Sequence, residues 1–128
     1  MVIVVDTSIL IEEIRIGSET WKNVKKDCLE NDGKIMCPSI VLTELWAGKS
    51  MKNIGEIKFV EDIIEVVDFI DVDEKLAKKA GEIIRNNKLS GFDAIIAATC
   101  VTYEAKLATL NTKHFVGIKG LKLYNSFK

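Results

Sequence analysis

Three carboxylates in this sequence, Asp6, Glu44 and Asp93, stand where their type and position could do chemistry. Asp6 ends an apolar run, Glu44 lies shortly past the only proline, Pro38, and Asp93 opens an alanine-rich apolar stretch. Carboxylates brought together without a counter-ion repel one another and resist ionisation. Hard oxygen donors of this kind suit magnesium or manganese. Each acid also has an ordinary explanation. Asp6 could cap a following helix, as could Ser8, and Asp93 could cap its own helix at the positive end of the dipole. Glu44 could simply be solvated on a helix face. The choice depends on where the surrounding elements put them.

Positioning them calls for strands and helices in alternation. Residues 2–5 are a continuous β-branched run, the pattern of a strand buried on both faces. After Asp6-Thr7-Ser8 the apolar residues Leu10, Ile11 and Ile14 take helical spacing. Gly17-Ser18 interrupts them, and Ser18 can cap a second helix with Trp21, Val24, Cys28 and Leu29 on one face. Asn31-Asp32-Gly33 marks a turn, residues 34–37 a second strand, and Pro38 its stop. Ser39 can cap a helix through Val41, Leu42, Leu45 and Trp46 to about Ser50. A helix over residues 57–64 then feeds a third strand near 66–69. Asp73 caps a long amphipathic helix through Leu76, Ala77, Ala80, Ile83 and Ile84. Ser90-Gly91 precedes an apolar helix over 92–103, and residues 107–110 and 121–124 read as further strands. This alternation implies βαβ units. The expected architecture is α/β: a three-layer α/β/α sandwich with a four- or five-stranded parallel sheet, as a single domain over residues 1–128.

In an open parallel sheet, ligands bind beyond the carboxyl ends of the strands. Asp6 is the first residue past strand 1. A helix that leads into a parallel strand starts at that same edge, which brings Asp93 near Asp6. Glu44 falls in the early turns of the helix after strand 2, and Thr109 and Asn111 mark the end of strand 4. Separate segments thus converge on one rim, and that joint placement favours a metal site over isolated caps.

Bulk properties narrow the class. The 48% hydrophobic and 29% charged content over 128 residues suits one soluble globular unit. No apolar run approaches the ~20 residues of a membrane span. The N-terminus reaches an acid too early for a signal peptide. Cys28, Cys37 and Cys100 are odd in number and lack CxxC spacing, which argues against disulfides or structural zinc and fits a reducing cytoplasm. A net charge of −1 excludes nucleic-acid binding by bulk electrostatics alone, so any such role needs metal ions or a local basic rim.

Four ordered segments carry a resemblance: Val4-Val5-Asp6-Thr7-Ser8; Thr43-Glu44-Leu45 with Gly48; Asp93-Ala94-Ile95-Ile96-Ala97-Ala98-Thr99; and Ala108-Thr109-Leu110-Asn111-Thr112-Lys113-His114-Phe115. In order and separation they resemble PIN-domain proteins, and most nearly the VapC-like toxins of toxin–antitoxin pairs, over residues 1 to about 115. The resemblance implies a metal-dependent endoribonuclease with Asp6, Glu44 and Asp93 as its acidic centre and Mg2+ (or Mn2+) as cofactor. It also implies an RNA substrate, a small antitoxin partner and a homodimer, with the Trp21 and Trp46 helices as candidate contact surfaces. Many relatives carry a fourth acid after strand 4, where this chain has Asn111 and His114 and no carboxylate; that departure bears on a second metal.

Within that reading, Asp6 and Asp93 bind metal directly or through water, and Glu44 orients water or completes the metal shell. Ser8 and Thr109 are candidate donors that fix carboxylate or phosphate geometry. Lys49, Lys52, Lys113 and His114 are candidate RNA contacts. A nucleophilic triad is disfavoured, because there is no GxSxG and only one histidine. A dinucleotide or NTP fold is disfavoured by the lack of a glycine-rich phosphate motif. A phospho-acceptor receiver domain would want a second acid beside Asp6 and a lysine ending strand 5, where Tyr124-Asn125 stand. The remaining alternative is a PIN-fold binding protein without nuclease activity.

Overall fold

The computed structural model describes residues 1–125. The elements run β1 (Val2–Val5), α1 (Thr7–Ile16), α2 (Glu19–Glu30), β2 (Lys34–Pro38), α3 (Ile40–Trp46), α4 (Ile54–Ile64), β3 (Val67–Ile70), α5 (Glu74–Asn86), α6 (Gly91–Thr102), β4 (Lys106–Ala108) and β5 (Lys122–Leu123), with 3₁₀ turns at Lys49–Lys52 and Thr112–Phe115. The last three positions of the expected domain, residues 126–128, lie outside the described residues.

β1 is central because it can be covered on both faces. Its residues Ile3, Val4 and Val5 are wholly buried, and each contributes roughly 1.5–3 kcal/mol of transfer free energy. Around it the sheet takes the order β3-β2-β1-β4-β5. Every pairing is parallel, with Val4 opposite both Met36 and Leu107. The architecture is the α/β/α sandwich expected, with five strands. Successive strands β1, β2 and β3 step in one direction and β4 returns to the other side of β1. The order therefore reverses between β1 and β4, the crevice where open α/β sheets place ligands.

Capping residues set most helix starts. Ser18 Oγ accepts from Trp21 N at 3.1 Å, Asp73 Oδ1 from Leu76 N at 2.8 Å, and Asn53 Oδ1 from Gly55 N at 2.8 Å. Each cap typically stabilises its helix by about 1 kcal/mol. α6 is apolar nearly all round and fits: Ala94, Ile96, Ala97, Ala98, Thr99 and Cys100 are all buried.

Several expectations need correction. Ser39 does not cap α3: it has helical dihedrals and no capping bond, and its backbone N–H donates to Ile70 O at 2.7 Å, bridging to β3. That helix ends at Trp46 rather than Ser50, because Gly48 is extended and a 3₁₀ turn follows. Leu29 is 86% exposed, since the last turn of α2 overhangs the sheet. Trp21 is 1% exposed and belongs to the core, so any contact through its helix would use other side chains such as Leu29, whereas Trp46 is itself partly exposed. Pro38 also closes β2 from within, paired with Ile70, and β4 is shorter than 107–110.

Candidate metal centre

Asp6 leaves β1 in extended conformation and caps α1. Its backbone N–H donates to Ala108 O at 3.1 Å, which continues the β1–β4 ladder one residue past β1. The carboxylate is 3% exposed, and both of its oxygens are used. Oδ1 accepts from the backbone N–H of Ser8 at 3.0 Å and from the Ser8 hydroxyl. Oδ2 accepts from the Thr109 hydroxyl. These hydroxyls are themselves oriented, because Ser8 Oγ accepts from Leu110 N at 3.1 Å and Thr109 Oγ1 accepts from Asn111 N at 2.9 Å. Each hydroxyl proton is thereby directed at Asp6, an arrangement suited to an acceptor-only, ionised carboxylate.

Burial works against that ionisation. It pushes the Asp6 carboxyl above the usual carboxylate range, and the bonds from Ser8 and Thr109 offset it only in part. No lysine, arginine or histidine pairs with Asp6 among the described residues. Glu44 and Asp93 line the same pocket of about 180 Å³, together with Thr7, Ser8 and Asn111. The Thr7 hydroxyl donates to Glu44 Oε1 at 2.5 Å. Thr7 follows Asp6 directly and so anchors the second acid to the first. Asp93 is freed from capping duty by Ser90, whose hydroxyl accepts from Asp93 N at 3.2 Å. Its Oδ2 lies 3.3 Å from His114 Nδ1.

The structure thus brings Asp6, Ser8, Glu44, Asp93 and Asn111 to one pocket, with Thr109 bonded to Asp6 and His114 to the side of Asp93. Thr7 was not singled out among the sequence candidates. Its signal was its place at the first turn of the helix after the strand, beside the acid. Among the described residues, no group of three or more His, Cys, Asp or Glu side chains forms a ready ligand cage. Magnesium does not require one. It keeps several waters and binds proteins through one or two carboxylates. Three carboxylates around one small pocket, the most buried of them held by neutral hydroxyl and backbone donors, are a donor set that fits such an ion.

The three cysteines are buried free thiols. Burial pushes Cys37 up to about 12, and it donates to Val5 O at 3.1 Å, so it packs as an inert residue beneath the pocket.

The model of the PIN domain matches residues 3–120. Ribonuclease VapC of Rickettsia bellii is 31% identical, with 96% of this chain and 95% of that protein covered. Ribonuclease VapC1 of Rickettsia felis is 29% identical over the same shares. Among solved structures, VapBC2 of Rickettsia felis bound to a DNA fragment from their promoter aligns with a TM-score of 0.83 and 25% identity, covering 98% of each chain.

Proposed function

Because this chain belongs to the PIN-domain family of VapC-like ribonuclease toxins, we propose that it is a metal-dependent endoribonuclease acting at Asp6, Glu44 and Asp93, with residues 1–128 as one catalytic domain. The observation that carries the reading is Asp6: a buried carboxylate, held by hydroxyl donors, with two more carboxylates around its pocket and, among the described residues, no cationic side chain paired with it. Buried negative charge without a partner is costly, and a divalent ion supplies the missing charge.

Asp6 and Asp93 would hold magnesium or manganese. When bound, the ion lowers the pKa of water and offsets charge gathering on the phosphate oxygens. The chain's own groups do the rest. Ser8 and Thr109 fix both oxygens of Asp6 toward one geometry. Thr7 holds Glu44 where it orients the attacking water and accepts its proton. That water's oxygen forms a bond to phosphorus as the bond to the leaving ribose oxygen breaks, with the leaving oxygen taking up a proton. Asn111 offers an amide at the pocket wall, His114 lies against Asp93, and His114 and Lys113 would contact the RNA backbone.

The relatives support a toxin–antitoxin role with an antitoxin partner, and the proposal adds that the antitoxin is small, that the chain forms a homodimer and that it acts in the cytoplasm. Trp46, Ile54 and Phe59 are exposed apolar side chains on α3 and α4 that suit such a partner. A PIN-fold binding protein without nuclease activity is the second reading, favoured by the neutral Asn111 in the segment after β4. Incubation with structured RNA decides between them. Cleavage in magnesium or manganese, lost with chelator and in Asp6→Asn, is the expected result; RNA left intact by the folded wild-type protein in both metals would overturn the nuclease.

A further inference from the structure

A second pocket of about 140 Å³ lies against the carboxylate pocket, and the two share Ile11 and Glu44. Its walls are apolar: Ile11, Ile14, Leu45, Met51 and Val60. Leu45, Met51 and Val60 are buried, so the floor is fixed by the core. Its polar groups are few: Arg15 from the last turn of α1, Glu44 at the seam, and Ser50. Arg15 pairs with no carboxylate among the described residues. Gly48 also lines it. With φ at −67° the backbone there does not require glycine. An added Cβ would meet only Leu45 O at 3.4 Å, so packing does not require it either. What a side chain at 48 would change is the space at the pocket wall.

We infer that this pocket seats one nucleobase of the RNA, beside the phosphate held at the carboxylates, and that it takes guanine in preference. The inference rests on the nuclease reading for the identity of the strand and deepens it by naming what is recognised. Single-stranded RNA is read by bases splayed out of the strand, faces packed on side chains and edges hydrogen-bonded. The apolar walls suit the faces of one ring system, and the volume leaves room for little more. At the edge, a guanidinium donates in pairs to guanine O6 and N7. Guanine alone among the RNA bases pairs O6 with N7 on one edge, and Arg15 is the matching group on this pocket, while Glu44 at the seam stays with the attacking water. The shared seam at Glu44 places base and phosphate sites side by side, as one nucleotide requires.

Methyl NMR of the full chain in magnesium tests this with guanosine 5′-monophosphate, cytidine 5′-monophosphate and ribose 5-phosphate, none of which contains a phosphodiester to cleave. The expected result is methyl shifts at Ile14, Met51 and Val60 with the guanine nucleotide, absent with ribose 5-phosphate. The cytidine nucleotide should bind at least about fivefold more weakly, the low end of a paired base contact. Arg15→Gln, an exposed change that leaves the core intact, should remove that preference without altering the ribose 5-phosphate response. Gly48→Val should abolish the base-dependent shifts while the remaining methyl spectrum stays native. Equal shifts from ribose 5-phosphate, or base-dependent shifts only outside this pocket, would overturn the inference. A parallel RNA cleavage assay separates the two claims. Cleavage without pocket shifts removes the base site and keeps the nuclease, and pocket shifts without cleavage do the reverse.

Discussion

At the amino ends of β2 and β3, a cleft of about 670 Å³ runs between Leu29, Ile35 and Val66, with Lys25, Lys26 and Lys34 around it. At the carboxyl end of the same sheet, the carboxylate pocket measures about 180 Å³. The larger cleft mixes both signs of charge on exposed side chains: Lys34 and Asp68 pair at 3.8 Å, both well exposed, and such a pair contributes little. The smaller pocket gathers carboxylates around a buried one that has only hydroxyl and backbone partners. Volume and apolar surface point to one end, unbalanced charge and topology to the other. In a parallel sheet the helix that follows each strand starts at the carboxyl end, so caps, dipoles and acids collect there. Chemistry follows the unmet charge, not the space.

The strongest way to break this contrast is at Asp6. Asp6→Asn should lower RNA cleavage by more than about a hundredfold, beyond the usual cost of losing an outer-shell partner, while circular dichroism stays native. Lys25→Gln with Lys26→Gln, at the opposite cleft, should leave the rate within about twofold, the scale of unpaired surface changes. A rate loss of similar size from the lysine pair would reverse the assignment of the two ends.

Thr7 sharpens the contrast, because its hydroxyl is the link between the first two acids. Thr7→Val should reduce the cleavage rate by about tenfold or somewhat more, with Thr7→Ser restoring most of it, as expected for a partner that only orients a ligand. A serine variant as slow as valine would mean the threonine methyl, not the hydroxyl, matters.

Stability gives a smaller and oppositely signed effect. The folded Asp6 carboxyl titrates above its unfolded value. Its contribution is therefore full below the unfolded pKa and is lost as pH rises through the folded one. In chelator at neutral pH, Asp6→Asn should melt a few degrees above wild type, a shift on the order of 1 kcal/mol. The gap should close as pH falls into the carboxylate range. Adding magnesium should stabilise the wild type and not the variant. A wild-type protein that melts higher than Asp6→Asn in chelator at neutral pH would point to a purely structural cap.

The smallest effect expected is at position 111. Asn111 brings a neutral amide to the pocket wall, so one ion should bind firmly and a second weakly. Asn111→Asp should strengthen the second manganese site in titration calorimetry by about fivefold, with little change at the first. Two tight, equivalent sites in the wild type would contradict this account.

The sheet was readable from sequence because its cues are local. A β-branched run made β1, and Ser18, Asp73 and Ser90 announced their helices with side chains that reach only two or three residues on. Errors arose where a distant partner decided. Ser39 looked like a cap, but its N–H is taken by Ile70, from a strand whose arrival local sequence does not encode. Leu29 kept the helical period yet stands exposed at the mouth of the cleft beside Ile35 and Val66. The acids at the rim followed from strand ends and helix starts. The Thr7–Glu44 bond, spanning 37 residues, and the role of Arg15, which reads as an ordinary cation ending a helix, required the assembled molecule.

The bond from Thr109 to Asp6 joins residues 103 positions apart. On a chain made from its N-terminus, Asp6 leaves the ribosome well before Thr109. β1 has one neighbour once β2 is made, but its other edge, and the hydroxyl that orients Asp6, wait for Lys106–Ala108 and the residues that follow. The chain therefore carries all three acids before it carries the hydroxyl of Thr109 that orients the first of them.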